Sequence, residues 1–234
     1  MENTKRQEEL ITHLKQVHFA SIAELAAQLY TSEATVRREV QVLEGRGALK
    51  RVYGGVVIAE YENTPVPLYL RDKENSASKE QIAAAAAAHV TDNMTVILDA
   101  SSTVRRICKY IKGRRGVTVI TNSLRVCEEL KNTEVAVICT GGTLLPKRDC
   151  FVGHFAEALL RRVRADAVFF SSQGLGENGD ITDSSQEEIA VRRVMLESAK
   201  KQYFLCDSSK RGREYPFLLC NLSNVTLGIF DGEQ

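Results

Sequence analysis

The residues from Ser21 to Val57 constrain this chain more than any other stretch, because their apolar spacing fits one supersecondary unit. Ser21 and Glu24 have capping-box spacing, and Ile22, Leu25, Ala26 and Leu29 follow at i, i+3, i+4 and i+7, which predicts a short helix with one buried face. Tyr30 to Glu33 makes a tight connection with Ser32 as N-cap. Val36, Val40 and Leu43 then predict a second helix, which Gly45 and Gly47 end. With those three residues facing a core at about 100° per residue, Ala34, Thr35, Arg37, Arg38 and Gln41 face outward near the start of the helix. In a helix-turn-helix this is the end that enters a DNA major groove. Arginine suits it, since its planar fork bonds guanine O6 and N7 together or clamps a phosphate. Lys50 and Arg51 then precede a Tyr53-Gly54-Gly55 turn, the pattern of a small β-wing that touches the backbone. The expected DNA-contacting residues are Ser32, Ala34, Thr35, Arg37, Arg38, Gln41, Lys50 and Arg51.

The string TSEATVRREVQVLEGRGALKRVYGGV resembles the DNA-binding signature of the DeoR family of bacterial transcriptional regulators, through Thr-Val-Arg-Arg, Leu-Glu, the Gly-rich helix end and the Gly-Gly wing. Glu39 stands where the family usually has Asp, and Tyr53 where it usually has His. The resemblance implies a winged helix-turn-helix that binds a double-stranded DNA operator.

At 234 residues the chain has room for a second domain with its own core. A net charge of +1 argues against a generally basic coat and confines the expected DNA contact to the recognition helix and the wing. No apolar run reaches the length of a membrane span, and the first ten residues lack the apolar core of a signal peptide, so a cytoplasmic location without membrane contact is expected. None of the six cysteines forms a C-x-x-C pair or has a histidine at ligand spacing; neither a metal nor another cofactor is expected. Most lie in apolar runs, such as those ending in Cys139 and Cys206, where free Cys acts as a small buried hydrophobe.

In chain order, Thr4 and Gln7 offer a further capping box ahead of Leu10, Ile11, Leu14 and Val17, a first helix that completes a three-helix core. The expected division is 1–57 for DNA binding, 58–77 as a linker with two prolines, and 78–234 as an α/β domain. Ser78 and Gln81 cap an alanine-rich helix through Val90. Short apolar runs then alternate with helical patterns, which predicts a mostly parallel sheet of strands 95–98, 117–120, 135–139, 167–170, 203–206 and 225–230. Helices are expected around Val104 to Ile111 and from Gln186 to Lys200.

Ligands of open α/β sheets bind beyond the carboxyl ends of the strands, and here those ends are polar. They carry Asp99, Ser101, Ser102 and Thr103; Thr121, Asn122 and Ser123; Gly141 and Gly142; Ser171 to Gly174; and Asp207 to Lys210. Hydroxyls and N–H groups at a helix start suit phosphate, Asp99 and Asn122 suit sugar hydroxyls, and Lys210 supplies a positive charge. The DeoR resemblance extends to these loops and to Glu187-Glu188 before Val191-Arg192-Arg193. It implies a sensor domain of the ribose-phosphate isomerase and sugar-phosphate deaminase type, binding a phosphorylated sugar through Asp99, Ser101, Ser102, Thr103, Thr121, Asn122, Ser123, Gly141, Gly142, Gly174, Glu187, Asp207 and Lys210. In the family Gly often stands in place of Ser101, and a basic residue lies closer to Gly-Gly than Lys147 and Arg148 do here. The leading expectation is a homo-oligomeric regulator, a repressor of a carbohydrate operon released by that sugar. The alternatives are a sugar-phosphate isomerase or deaminase using Asp99, Asp207 or Glu187 as acid-base groups, and a constitutive DNA-binding protein whose sensor has degenerated.

Overall fold

The structure, a computed structural model, describes residues 2–17, 19–52, 54–58, 72 and 74–232. The chain divides into two compact units, residues 1–74 and 75–234. Tyr53 and most of the expected linker lie outside the described residues.

In the first unit three helices, α1 (Glu2–Val17), α2 (Ile22–Gln28) and α3 (Glu33–Gly45), precede an antiparallel hairpin of β1 (Leu49–Val52) and β2 (Gly55–Ile58). The capping box of α2 is complete: Ser21 Oγ accepts from the Glu24 N–H at 3.1 Å and the Glu24 carboxylate accepts from the Ser21 N–H at 2.8 Å. Leu10 and Leu14 of α1, Leu25 of α2, Val36, Val40 and Leu43 of α3, and Leu49, Val56 and Ile58 of the hairpin close one apolar core. Gly47, at φ +70°, lets the chain turn from α3 into β1. Gly55 permits close approach, since a Cβ there would stand 2.3 Å from the Ala20 carbonyl oxygen, which accepts from the Val56 N–H. α1 begins at Glu2, two residues ahead of the expected N-cap Thr4, whose side chain lies outside the described residues, and Gln7 is a buried side chain that bonds Glu39 of α3.

The second unit opens with α4 (Ser76–Ala87), two residues earlier than Ser78 and with no side-chain cap. Its centre is a six-stranded parallel sheet in the order β13-β11-β8-β3-β4-β5. These strands are β3 (Thr95–Leu98), β4 (Thr118–Thr121), β5 (Ala136–Cys139), β8 (Ala165–Phe170), β11 (Ala199–Cys206) and β13 (Leu227–Phe230). Alternate residues feed opposite layers, as the two-residue period of a strand dictates. Val96, Leu98, Val119 and Phe169 pack under α4, α5 (Ser102–Arg105), α6 (Cys108–Ile111) and α7 (Leu124–Leu130). Ile97, Ile120, Val168 and Phe204 pack against α8 (His154–Arg161) and α9 (Gln186–Glu197). Expected as one helix, Val104 to Ile111 is broken into two single turns, and α9 ends at Glu197, so that Lys200 lies in β11.

Two features have no counterpart in the sequence reading. A hairpin of β6 (Thr143–Leu145) and β7 (Cys150–Val152) follows β5, and β9 (Gly174–Leu175), β10 (Asp180–Asp183) and β12 (Phe217–Asn221) form a separate antiparallel sheet. Cys139 is exposed rather than buried, because β5 is the sheet's edge strand.

Candidate functional site

In α3 the Ser32 hydroxyl accepts from the Thr35 N–H at 3.2 Å and so starts the helix. Ser32, Ala34, Arg37, Arg38 and Gln41 are exposed and Thr35 is half-buried, all on the side away from Val36, Val40 and Leu43. Arg37 pairs with Glu33 at 3.2 Å, whereas Arg38 has no ion-pair partner among the described residues. On the wing Lys50 and Arg51 are exposed, and Arg51 is held to α3 by Glu44 at 3.1 Å and by the Arg37 carbonyl at 3.3 Å. The wing's cation and the recognition helix are thus one braced surface. Beneath it Glu39 is buried, accepts from Gln7 Nε2 at 2.5 Å, and faces Arg6 at 3.6 Å, which fixes α3 to α1.

In the second unit the chain runs outward from β3 to β4 and β5, then returns to β8 on the other side of β3 and runs outward again. The strand order therefore reverses between β3 and β8, and a crevice at such a reversal is where doubly wound sheets take ligands. Asp99 ends β3 at that point. Its Oδ1 accepts from the Ser101 N–H at 2.9 Å, and its Oδ2 accepts from the Ser171 N–H and from Arg192 Nε, both at 3.1 Å. Asp99 therefore joins the two strands, and neither oxygen is left without a protein partner. Thr121 is structural as well: its hydroxyl donates to the Leu98 carbonyl at 2.7 Å and accepts from the Ser123 N–H. Ser101 and Ser123 are the N-caps of α5 and α7. Because α5 is a single turn, it brings little of a helix dipole to an anion, and the case for phosphate shifts to side chains.

Those side chains follow strands of the same sheet, at its carboxyl end. Lys210 Nζ donates to Ser171 Oγ at 2.8 Å and stands 3.9 Å from Asp207. Burial acts to raise the Asp207 pKa, but Lys210, Ser209, Lys79 and Asn75 together hold it below the ordinary carboxylate value. Asp207 Oδ2, Asn122 Oδ1 and Thr103 Oγ1 are buried polar atoms without a hydrogen-bond partner among the described residues. Ser102 is buried beside Thr103. Of the remaining expected residues, Gly174 packs on main chain, since a Cβ there would stand 2.3 Å from the Arg213 carbonyl oxygen. Gly141 and Gly142 take φ of +63° and +115°, and a Cβ on Gly142 would meet the Val152 carbonyl. Glu187 is exposed and bonds Ser185 Oγ at 3.2 Å.

Next to Asp99 lies a buried ionic cluster. Arg192 bonds Asp99, Asp183 at 2.8 Å and Glu188 at 3.2 Å, while Arg148 bonds Glu188 and reaches Ser184 Oγ at 3.3 Å. Burial acts to lower the Arg192 pKa, but Asp183, Glu188 and Asp99 more than offset it and raise it. For Asp183 burial acts upward, and Arg192 and Arg148 prevail, leaving its pKa below the ordinary value. The two arginines are thus matched by three carboxylates.

The family model described as the DeoR C terminal sensor domain matches residues 74–232, and the DeoR-like helix-turn-helix domain model matches residues 6–62. The chain belongs to the DeoR family. Relatives of the DeoR chain include the HTH-type transcriptional regulator GolR of Listeria innocua, 32% identical over 98% of this chain and 91% of that protein. The L-fucose operon activator of Haemophilus influenzae is 32% identical over 94% and 88%, and the transcriptional repressor AccR of Agrobacterium fabrum 30% over 97% and 88%. Among solved structures, ribose 5-phosphate isomerase A from Methanocaldococcus jannaschii aligns with a TM-score of 0.45 and 17% identity over 59% of this chain and 55% of that one.

This DeoR protein is accordingly a DNA-binding transcriptional regulator and not an isomerase or deaminase. Its departures from the family pattern have structural counterparts. Glu39 serves as the buried tie to α1, and Arg148, displaced from Gly141-Gly142, is bound into the ionic cluster. Sequence reasoning missed Lys79, Asn75, Asp183 and Arg148 as part of this region. Asp183 could have been found, since Asp-Ser-Ser ahead of α9 repeats the polar strand-end pattern, but a lone lysine in an alanine-rich helix gave no signal.

Proposed function

We propose that this regulator represses a carbohydrate operon and leaves its operator when a phosphorylated sugar enters the crevice between β3 and β8. The observation that carries the reading is a set of buried polar atoms in the segments at the carboxyl end of the sheet, Thr103 Oγ1, Asn122 Oδ1 and Asp207 Oδ2, that have no hydrogen-bond partner among the described residues, with the Lys210 ammonium 3.9 Å from Asp207. Buried polar atoms are rarely left without partners, and three of them in the segments after β3, β4 and β11, at the end of the sheet where such folds take ligands, fit a polyhydroxylated ligand. Lys210 offers the positive charge for its phosphate, while Asp99 and Arg192 hold the crevice's shape instead of binding the ligand. The L-fucose operon named for a relative supports the carbohydrate setting. One relative is named an activator and another a repressor, and the proposed repressing sense matches the second. Thermal unfolding with a panel of sugar phosphates tests the reading. A ligand of the folded state raises the midpoint with its concentration, adding about 2.7 kcal/mol to the unfolding free energy at a hundredfold excess over Kd, and is recovered unchanged. A panel without any such shift would favour a constitutive DNA-binding protein.

A further inference from the structure

The DNA-binding unit is not basic. Residues 1–74 carry ten Lys and Arg against eleven Asp and Glu, so the cations of α3 and the wing are not backed by a net positive charge on their own unit. Non-specific affinity for duplex DNA comes almost wholly from cations replacing condensed counterions, so exposed cations elsewhere in the chain would add directly to the few on α3 and the wing.

The second unit has such a surface at the end of the sheet opposite the crevice. Lys112 and Arg115 lead into β4, Arg162 and Arg164 lead into β8, and Lys200 and Lys201 open β11. Strand pairing brings these segments side by side, since Thr118 of β4 faces Thr95 of β3, Val96 faces Ala167 of β8, and Ala165 faces Ala199 of β11. At about 4.8 Å per strand the edge from β11 to β4 spans roughly 15 Å, comparable to a few phosphates along one DNA strand. All six side chains are exposed. Asp166 holds Lys200 at 2.9 Å, and Asp92 accepts from the Arg115 N–H, so six cations face two interleaved carboxylates. Arg161 is matched by Glu157 and Glu197, and Lys131 and Glu134 ahead of β5 offset one another. Lys112, Arg115, Arg162 and Lys201 have no ion-pair partner among the described residues.

We propose that this edge is a second DNA-contacting surface, on which the sensor unit neutralises phosphates of the duplex while α3 reads bases. Its occupant is the DNA backbone, chosen by charge and by the protein's membership of a DNA-binding family. The proposal does not depend on which metabolite, if any, fills the crevice.

The test is binding of the full chain to a mixed-sequence duplex of several helical turns, followed by fluorescence anisotropy between about 50 and 200 mM KCl. One variant carries Lys112→Gln, Arg115→Gln, Arg162→Gln and Lys201→Gln. A control carries Lys147→Gln, Arg193→Gln, Arg211→Gln and Arg213→Gln, which removes the same charge from other exposed positions. Each lost phosphate contact lowers the slope of log K against log salt by about 0.9, so the edge variant loses about two to four from that slope and at least tenfold in low-salt affinity. The control keeps the wild-type slope. The two pairwise variants, Lys112→Gln with Arg115→Gln and Arg162→Gln with Lys201→Gln, each show about half the loss and keep the result readable should four changes disturb folding. An edge variant with the wild-type slope, or a control that loses as much, overturns the proposal.

Discussion

Arg37 and Arg38 are indistinguishable in the sequence, yet the structure separates them. Arg37 is tied to Glu33 and lends its carbonyl to Arg51, whereas Arg38 is exposed with no ion-pair partner among the described residues. Arg38→Ala should therefore cost about 1 to 3 kcal/mol of operator binding and relax specificity at one base pair, with folding unchanged; a salt-controlled shift assay on single-base operator variants reads this out. In the sensor unit, Lys210→Ala should weaken a sugar-phosphate effector by about ten- to a hundredfold, the loss of a charge-assisted contact of roughly 1.5 to 3 kcal/mol. Operator affinity without effector should not change, and release at the wild-type effector concentration would exclude Lys210 as the phosphate partner. Polar residues after strands could be read as a rim from sequence, but their division of labour could not. Whether an Asp such as Asp99 faces a ligand or braces a neighbouring strand depends on an N–H 72 residues away, at Ser171.

At the scale of elements, the apolar runs gave themselves away: all six strands read from them are in the parallel sheet, most with ends shifted by a residue or two. The hairpin β6-β7 and the sheet β9-β10-β12 were not legible, since β9 has only two residues, β10 reads Asp-Ile-Thr-Asp with a single apolar residue, and β10 pairs with β12 through a register shift. These unread elements matter to the site, because Asp183 at the end of β10 and Glu188 in the first turn of α9 complete the ionic cluster around Arg192. Arg192→Met should leave three buried carboxylates with one arginine and destabilise the sensor unit by about 3 to 5 kcal/mol in urea unfolding. The pH dependence has a definite sign. Asp183 and Asp207 both have folded-state pKa values below the ordinary one, so their contribution is present above the unfolded value of about 4 and is lost as pH falls through the lower folded values. Wild-type stability should drop on acidification below about pH 4. In Arg192→Met the drop should begin at higher pH, and an unchanged acid limb would remove Arg192 from that role.

For the whole molecule, one recognition helix reads only a few base pairs, which is too little discrimination against a genome of competing sites. We therefore expect a dimer or larger assembly on repeated half-sites. Light scattering that shows a monomer, bound tightly to a single half-site at physiological salt, would contradict this. The central claim is that a metabolite bound at the crevice of the second unit governs DNA binding by the first, and a ligand can shift that equilibrium only through its differential affinity for the free and DNA-bound states. The most direct measurement is an operator titration of the full chain at one salt concentration, with and without each sugar phosphate and with its unphosphorylated sugar as the paired control. At least one sugar phosphate should weaken operator binding by about tenfold or more, a coupling of about 1.4 kcal/mol, while its parent sugar has no effect. If a sugar phosphate raises the thermal midpoint, and so binds, yet leaves the operator titration superimposable on the ligand-free curve, the account of the second unit as the sensor is contradicted.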